Sequence, residues 1–234
     1  MLSAPKPNRF QYRNQLAALQ MRKPSLKYVG NKAVQALLSK YDCPVPFHAV
    51  RTRFVGNIAT TRLDASPVEA IKNLWGGELP EVENFEAINE LFDTFTSLWN
   101  EMARHQSRKK PFKLSHMTVV ATDESLHQYC QTRVDEIDGF VGGLFADQDM
   151  IDLPERADEG MMHLGEIRAM LLGVIDLLKR QPLPSSEDEL SKTVKNMRDL
   201  SRIAQTEINE VVLSCKRASG RMLSQGQPSD PTLH

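Results

Sequence analysis

Phe85-Glu-Ala-Ile-Asn-Glu-Leu-Phe-Asp-Thr-Phe-Thr-Ser-Leu-Trp-Asn-Glu-Met102 decides the fold class. Its apolar residues Phe85, Ile88, Leu91, Phe92, Phe95, Leu98, Trp99 and Met102 step by three, three, one, three, three, one and three. That spacing draws one broad stripe down a helix. A strand, which repeats every two residues, would split the set between two faces. Arg104, Arg108, Lys109 and Lys110 are expected at the C-terminal end of this helix, where cations complement its dipole.

The same period continues downstream. Thr122 is an N-cap candidate, and Asp123 and Glu124 follow in the first turn. Leu126, Tyr129, Cys130, Val134, Ile137, Phe140, Val141, Leu144 and Phe145 make the next stripe. Another helix is predicted over about 155–180, with Met162, Ile167, Met170, Leu171, Val174, Ile175 and Leu178 inward. Gln181-Pro-Leu-Pro184 breaks it, and Ser186 with Glu189 forms a capping box for the last helix. There Leu190, Val194, Met197, Ser201, Ala204, Ile208, Val211 and Cys215 alternate steps of four and three. This is a heptad seam, roughly 45–50 Å long. Residues 111–121 read as loop: Thr118-Val-Val-Ala121 could be a strand but has no evident partner.

Upstream, Ser66 and Pro67 start a short helix that Trp75-Gly76-Gly77 ends. Helices are predicted over about 47–62, with Phe47, Val50, Phe54, Ile58 and Leu63 as its apolar positions, and over 31–41 before Cys43-Pro-Val-Pro46. Pro5, Pro7 and Pro24 leave room for one short helix near 13–22. The expectation is an all-α bundle of about six to seven helices with a long C-terminal helix. It divides into a basic, flexible N-terminal segment (1–30), a helical domain (31–181), the long helix (186–217) packed on or extending from the bundle, and a tail (218–234).

Composition is that of a globular protein: 41% hydrophobic and 25% charged residues in 234. No apolar run approaches the ~18–20 residues of a membrane span. Cys43, Cys130 and Cys215 are odd in number and far apart, which suits reduced thiols in a cytoplasmic setting. Net charge is only −1, but residues 1–53 hold ten Lys or Arg against Asp42 alone, a net +9. Residues 64–101 carry −8 and residues 123–166 carry −10. The acid-free start has the bias of a mitochondrial transit peptide but is read here as a solvated basic tail.

Chemical motifs are sparse. Glu124-x-x-His127 has the spacing used in di-iron bundles, but no second such motif occurs. His127-x-x-Cys130 likewise lacks a second ligand pair. No phosphate loop, nucleophile elbow or H-E-x-x-H is present. No catalytic residue, metal or cofactor is therefore expected. Gly139, Gly142 and Gly143 interrupt a strong helical pattern and are read as sites where another helix packs against bare backbone. Trp99 is expected in the core. Trp75, beside Gly76, Gly77 and Glu78, is a candidate partially exposed anchor for a protein partner.

Three blocks carry a resemblance. Ser66-Pro-Val-Glu-Ala-Ile-Lys-Asn-Leu-Trp-Gly-Gly-Glu-Leu-Pro80, Leu98-Trp-Asn-Glu-Met-Ala-Arg104 and Asp135-Glu-Ile-Asp-Gly-Phe-Val-Gly-Gly-Leu144 are similar, in order, to blocks of the YecA/YgfB-like family of small bacterial helical proteins. The likeness covers about residues 47–180. It implies an all-α bundle with no catalytic residues to carry over. The Cys-rich metal motif that ends some members is missing from Pro228-Ser-Asp-Pro-Thr-Leu-His234.

Two functional expectations follow. The first is a non-enzymatic adaptor or regulator that binds another protein, with the heptad seam as a possible homodimer contact. The second is a nucleic-acid-associated protein that uses residues 1–53, with Arg9, Arg13, Arg22, Lys23 and Lys27 on phosphates. Phe10, Tyr12 and Tyr28 lie among these cations and could stack on bases.

Overall fold

The computed structural model describes residues 27–61, 66–146, 148, 150–180 and 187–225. These form seven α-helices: α1 (Asn31–Lys40), α2 (Phe47–Ala59), α3 (Pro67–Lys72), α4 (Phe85–Ala103), α5 (Asp123–Phe145), α6 (Glu155–Arg180) and α7 (Glu187–Gln225). A 3₁₀ turn, Asn73–Trp75, extends α3. Two-residue strands β1 (Gln106–Ser107) and β2 (Lys110–Pro111) pair antiparallel. The fold is all-α, and no described helix is long and apolar enough to cross a membrane.

Caps set the helix starts. The Ser66 hydroxyl accepts from the Glu69 N–H at 3.4 Å and the Thr122 hydroxyl from the Ser125 N–H at 3.3 Å. Asn84 caps α4 in the same way at 2.9 Å, a role not anticipated above. Helix α2 stops at Ala59, three residues short of the expected end, and Leu63 lies outside the described residues. So do the predicted helix near 13–22, the 181–184 break and the Ser186 capping box. Helix α7 passes Arg217 and runs on to Gln225, so the expected tail is helical over its first eight residues.

Helix α5 is the hub, with Leu126, Tyr129, Cys130, Val134, Ile137, Phe140 and Leu144 buried. Helix α2 crosses it at backbone distance. A Cβ on Gly139 would lie 2.5 Å from the Ala49 carbonyl oxygen, and one on Gly143 would be driven into the Arg53 carbonyl. Gly56 of α2 answers from the other side, its Cβ position falling on the Phe140 carbonyl. Gly142 departs from expectation: a Cβ there meets nothing within 4 Å, because the residue faces away from α2.

Helix α7 closes the bundle. Val194, Met197, Ser201, Ala204, Ile208, Val211 and Cys215 of its seam are buried within the chain. Ser201 is accommodated because its hydroxyl accepts from the Tyr129 hydroxyl at 2.7 Å and donates to the Met197 carbonyl at 2.8 Å. The seam is thus occupied intramolecularly, and a homodimer through it would require this packing to open.

Residues 112–120 run extended and antiparallel to α7 without joining a sheet. A polar row on α7 holds them instead. Asn209 accepts the Phe112 N–H at 2.7 Å and donates to its carbonyl at 3.0 Å. Gln205 accepts the Leu114 N–H at 3.1 Å, and Arg198 donates to the Val119 carbonyl at 3.1 Å. Lys216 reaches the Gln106 carbonyl at 3.0 Å. Arg198, Gln205, Asn209 and Lys216 step by seven, four and seven, a polar heptad beside the apolar one. These side chains satisfy backbone groups that otherwise need a strand partner.

Candidate functional site

Those residues singled out by sequence that the structure describes do not converge on one site. Arg9, Arg13, Arg22 and Lys23 lie outside the described residues; Lys27 is exposed at the point where the described chain begins. Gly76 and Gly77 adopt φ of 79° and 101°, and the Gly77 N–H bonds the Lys72 carbonyl at 3.1 Å to end the 3₁₀ turn. Gly76, Gly77 and Glu78 are exposed, and Trp75 is partly buried. Its indole N–H donates to the Tyr41 carbonyl at 2.8 Å, and its ring stands edge-on to Phe95 with centroids 5.8 Å apart. Trp75 ties the turn to α1 and α4. Trp99 is half-buried and packs edge-on against Phe54.

The metal spacing has no geometric follow-through. Among the described residues, no group of three or more His, Cys, Asp or Glu is placed to hold an ion. Cys130 is fully buried, and burial pushes its thiol up to about 12. Burial likewise pushes Cys215 up to about 11. His48 Nε2 lies 3.1 Å from Asp135 Oδ2, whose other oxygen accepts from Gln131 at 2.8 Å. Among the described residues no serine, threonine or cysteine hydrogen-bonds that histidine, so the pair lacks the nucleophile a hydrolytic triad needs.

The most heavily bonded polar group is a clamp on Ser115. Glu136, fully buried, accepts the Ser115 N–H at 2.7 Å and pairs with Arg133 one turn earlier. Arg133 also donates to the Ser115 carbonyl at 2.7 Å. Arg51 of α2 donates to the Ser115 hydroxyl at 3.2 Å and the Lys113 carbonyl at 3.1 Å. Burial lowers the Arg51 guanidinium pKa, against an opposing pull from Glu136. The clamp fixes a loop and leaves no open coordination position or reacting group.

The surface offers a different kind of site between α6 and α7. Met170, Gly173, Val174 and Leu177 form one wall of an open trough, and Met197, Leu200 and Ile203 form the other. Its volume is about 770 Å³. Met170, Leu177 and Ile203 are 52%, 60% and 49% exposed. Met162, one turn-pair earlier on α6, is also exposed, so two methionines expected inward face solvent. The reason is geometric: α6 has a wider apolar arc than its neighbours cover, and Leu164, Ile167, Leu171 and Ile175 take the buried side. Comparisons with known proteins add no analogy: the chain matches no protein-family model, no curated protein and no solved structure.

Proposed function

We propose that this chain is a non-enzymatic helical adaptor or regulator, cytoplasmic and of YecA/YgfB-like type, which binds an amphipathic helix of a partner protein in the α6–α7 trough. The observation that carries the reading is the exposed apolar lining itself. Met170, Val174 and Leu177 recur at four and three residues along α6, and Met197, Leu200 and Ile203 recur at three along α7. A trough of that form, parallel to two helix axes, complements a third helix with apolar anchors at i, i+3, i+4 and i+7. Methionines adapt such a surface to more than one anchor shape.

The test uses the full chain and a Leu177→Gln/Ile203→Gln variant as bait, with nuclease-treated extract. A protein captured by the wild type and lost by the variant is identified, and its amphipathic segment is made as a peptide. The reading expects that peptide to bind the wild type and to bind the variant about tenfold or more weakly. Equal binding by the two chains refutes it.

A further inference from the structure

Two stretches without any Asp or Glu, residues 102–122 and 211–225, meet in space. The first contains Arg104, Arg108, Lys109, Lys110 and Lys113; the second contains Lys216, Arg217 and Arg221. All eight side chains are exposed. The Lys216 ammonium donates to the Gln106 carbonyl at 3.0 Å, which sets the β1–β2 hairpin against the last turns of α7. We infer that this hairpin and the C-terminal end of α7 form a binding surface for the phosphate backbone of a nucleic acid, built from other residues than the basic N-terminal segment and the α6–α7 trough.

The hairpin is rigidly based. His105 Nδ1 faces the Lys110 carbonyl oxygen at 3.2 Å, and its ring stands edge-on to Phe112. Phe112 is fully buried and its backbone is bracketed by Asn209. The cations therefore project from a fixed base, so less order is lost when they engage a ligand. Arg104 is paired with Glu101 at 3.1 Å. Among the described residues no carboxylate pairs with Arg108, Lys109, Lys110 or Lys113. Helix-dipole complementarity acts only within the last turn of a helix, so it does not account for the hairpin cations, which follow the end of α4 in a separate turn.

The choice of nucleic acid over an anionic membrane rests on the neighbouring apolar groups. The exposed large apolar side chains of the two stretches are Val120 and Met222. Val120 lies beside the Val119 contact to Arg198, and Met222 is 24 residues further along α7, about 36 Å away at the helical rise. Among the described side chains of the patch no apolar cluster is present to enter a bilayer. The patch also shows no exposed aromatic for base stacking, so contacts should be to phosphates and independent of sequence.

Fluorescence anisotropy with a labelled DNA duplex, at about 50 and 200 mM salt, tests the inference on the full chain. Arg108→Gln/Lys109→Gln/Lys110→Gln should bind about tenfold or more weakly than wild type. Its salt slope should be shallower by up to about 2.7, at roughly 0.9 per lost phosphate contact. Lys179→Gln/Lys192→Gln/Lys195→Gln removes the same charge elsewhere and should bind within about twofold of wild type. Arg9→Gln/Arg13→Gln/Arg22→Gln/Lys23→Gln should retain a hairpin-dependent component. The hairpin residues are exposed, and an unchanged circular dichroism melt will confirm that the variant is folded. The inference is overturned if the hairpin variant binds like wild type, or if the N-terminal variant alone abolishes binding. It also fails if wild type ignores the duplex at low salt, or binds only vesicles of anionic phospholipid.

Discussion

Helices α2 and α5 touch through glycine backbones, whereas α6 and α7 leave an apolar trough between their Met170–Leu177 and Met197–Ile203 stretches. Both contacts arise from the same sequence signal, a 3.6-residue apolar period. They differ in what lies behind it. At the α2–α5 crossing, Gly56, Gly139 and Gly143 permit an approach that no larger residue tolerates, and the Arg133–Glu136 pair of the clamp is buried. Along α6 the apolar arc is wider than the surface covering it, and Met170 and Leu177 are left in solvent. The first contact is a folding device; the second is the kind of surface a partner completes.

Breaking the clamp should produce the largest effect. Glu136→Ala removes the carboxylate that, among the described residues, alone pairs with Arg133, leaving a guanidinium that is 7% exposed without its counter-charge, and it strands the Ser115 N–H. Removing one partner of a buried ion pair costs about 3–5 kcal/mol. Denaturant unfolding should therefore show a large fall in midpoint, and protease should cut the released 112–120 segment. A change below 1 kcal/mol, by that same scale, would mean the pair is solvated and the crossing is looser than described.

The glycine pair sharpens the comparison from within two adjacent residues. Gly143→Ala forces a methyl into the Arg53 carbonyl, and both backbones must separate. Overpacking of this kind costs about 1–3 kcal/mol. Gly142→Ala meets open space in the same helix and should gain about 0.5–1 kcal/mol from helix propensity. Paired melting curves should move in opposite directions. If both variants fall, α5 is crowded on two faces and the α2 contact is not special.

Much of this was legible beforehand, and the gaps have physical causes. The α4 stripe, the α5 stripe and the α7 heptad predicted most of the buried positions, because a regular period over five turns is insensitive to which neighbour supplies the cover; Phe85, at the start of α4, is 44% exposed, and Trp99, Val141, Phe145 and Leu190 are only partly buried. The inward assignment of Met162 and Met170 failed because period reports an apolar arc, not how much of it is covered. Gly142 was grouped with Gly139 and Gly143, though helical geometry puts it about 100° from Gly143. The hold on Trp75 could not be read from sequence, because the Tyr41 carbonyl that accepts its indole N–H is 34 positions away. The Ser115 clamp and the convergence of 102–122 with 211–225 also depend on tertiary approach. The polar row on α7 was readable in spacing, but its meaning came only with the 112–120 segment that lies on it.

The smallest expected effect bears on the trough. Leu177 and Ile203 are about half exposed, and Ile175, Leu171 and Met197 beneath them are buried by other contacts. Replacing both with Gln exchanges a branched apolar side chain for an unbranched polar one of similar size and puts the amide where water already reaches. Surface substitutions of this type usually change stability by less than about 0.5 kcal/mol each. The double variant should thus melt close to wild type while showing weaker fluorescence of a dye that binds exposed apolar surface. A loss of 2 kcal/mol or more, several times that surface allowance, would place the two side chains in the packing of α6 against α7. The trough would then be part of the core, and the contrast with the α2–α5 crossing would fail at its more exposed end. A near-neutral melt would make the same variant a clean probe of partner binding, since its lost affinity could not be attributed to unfolding.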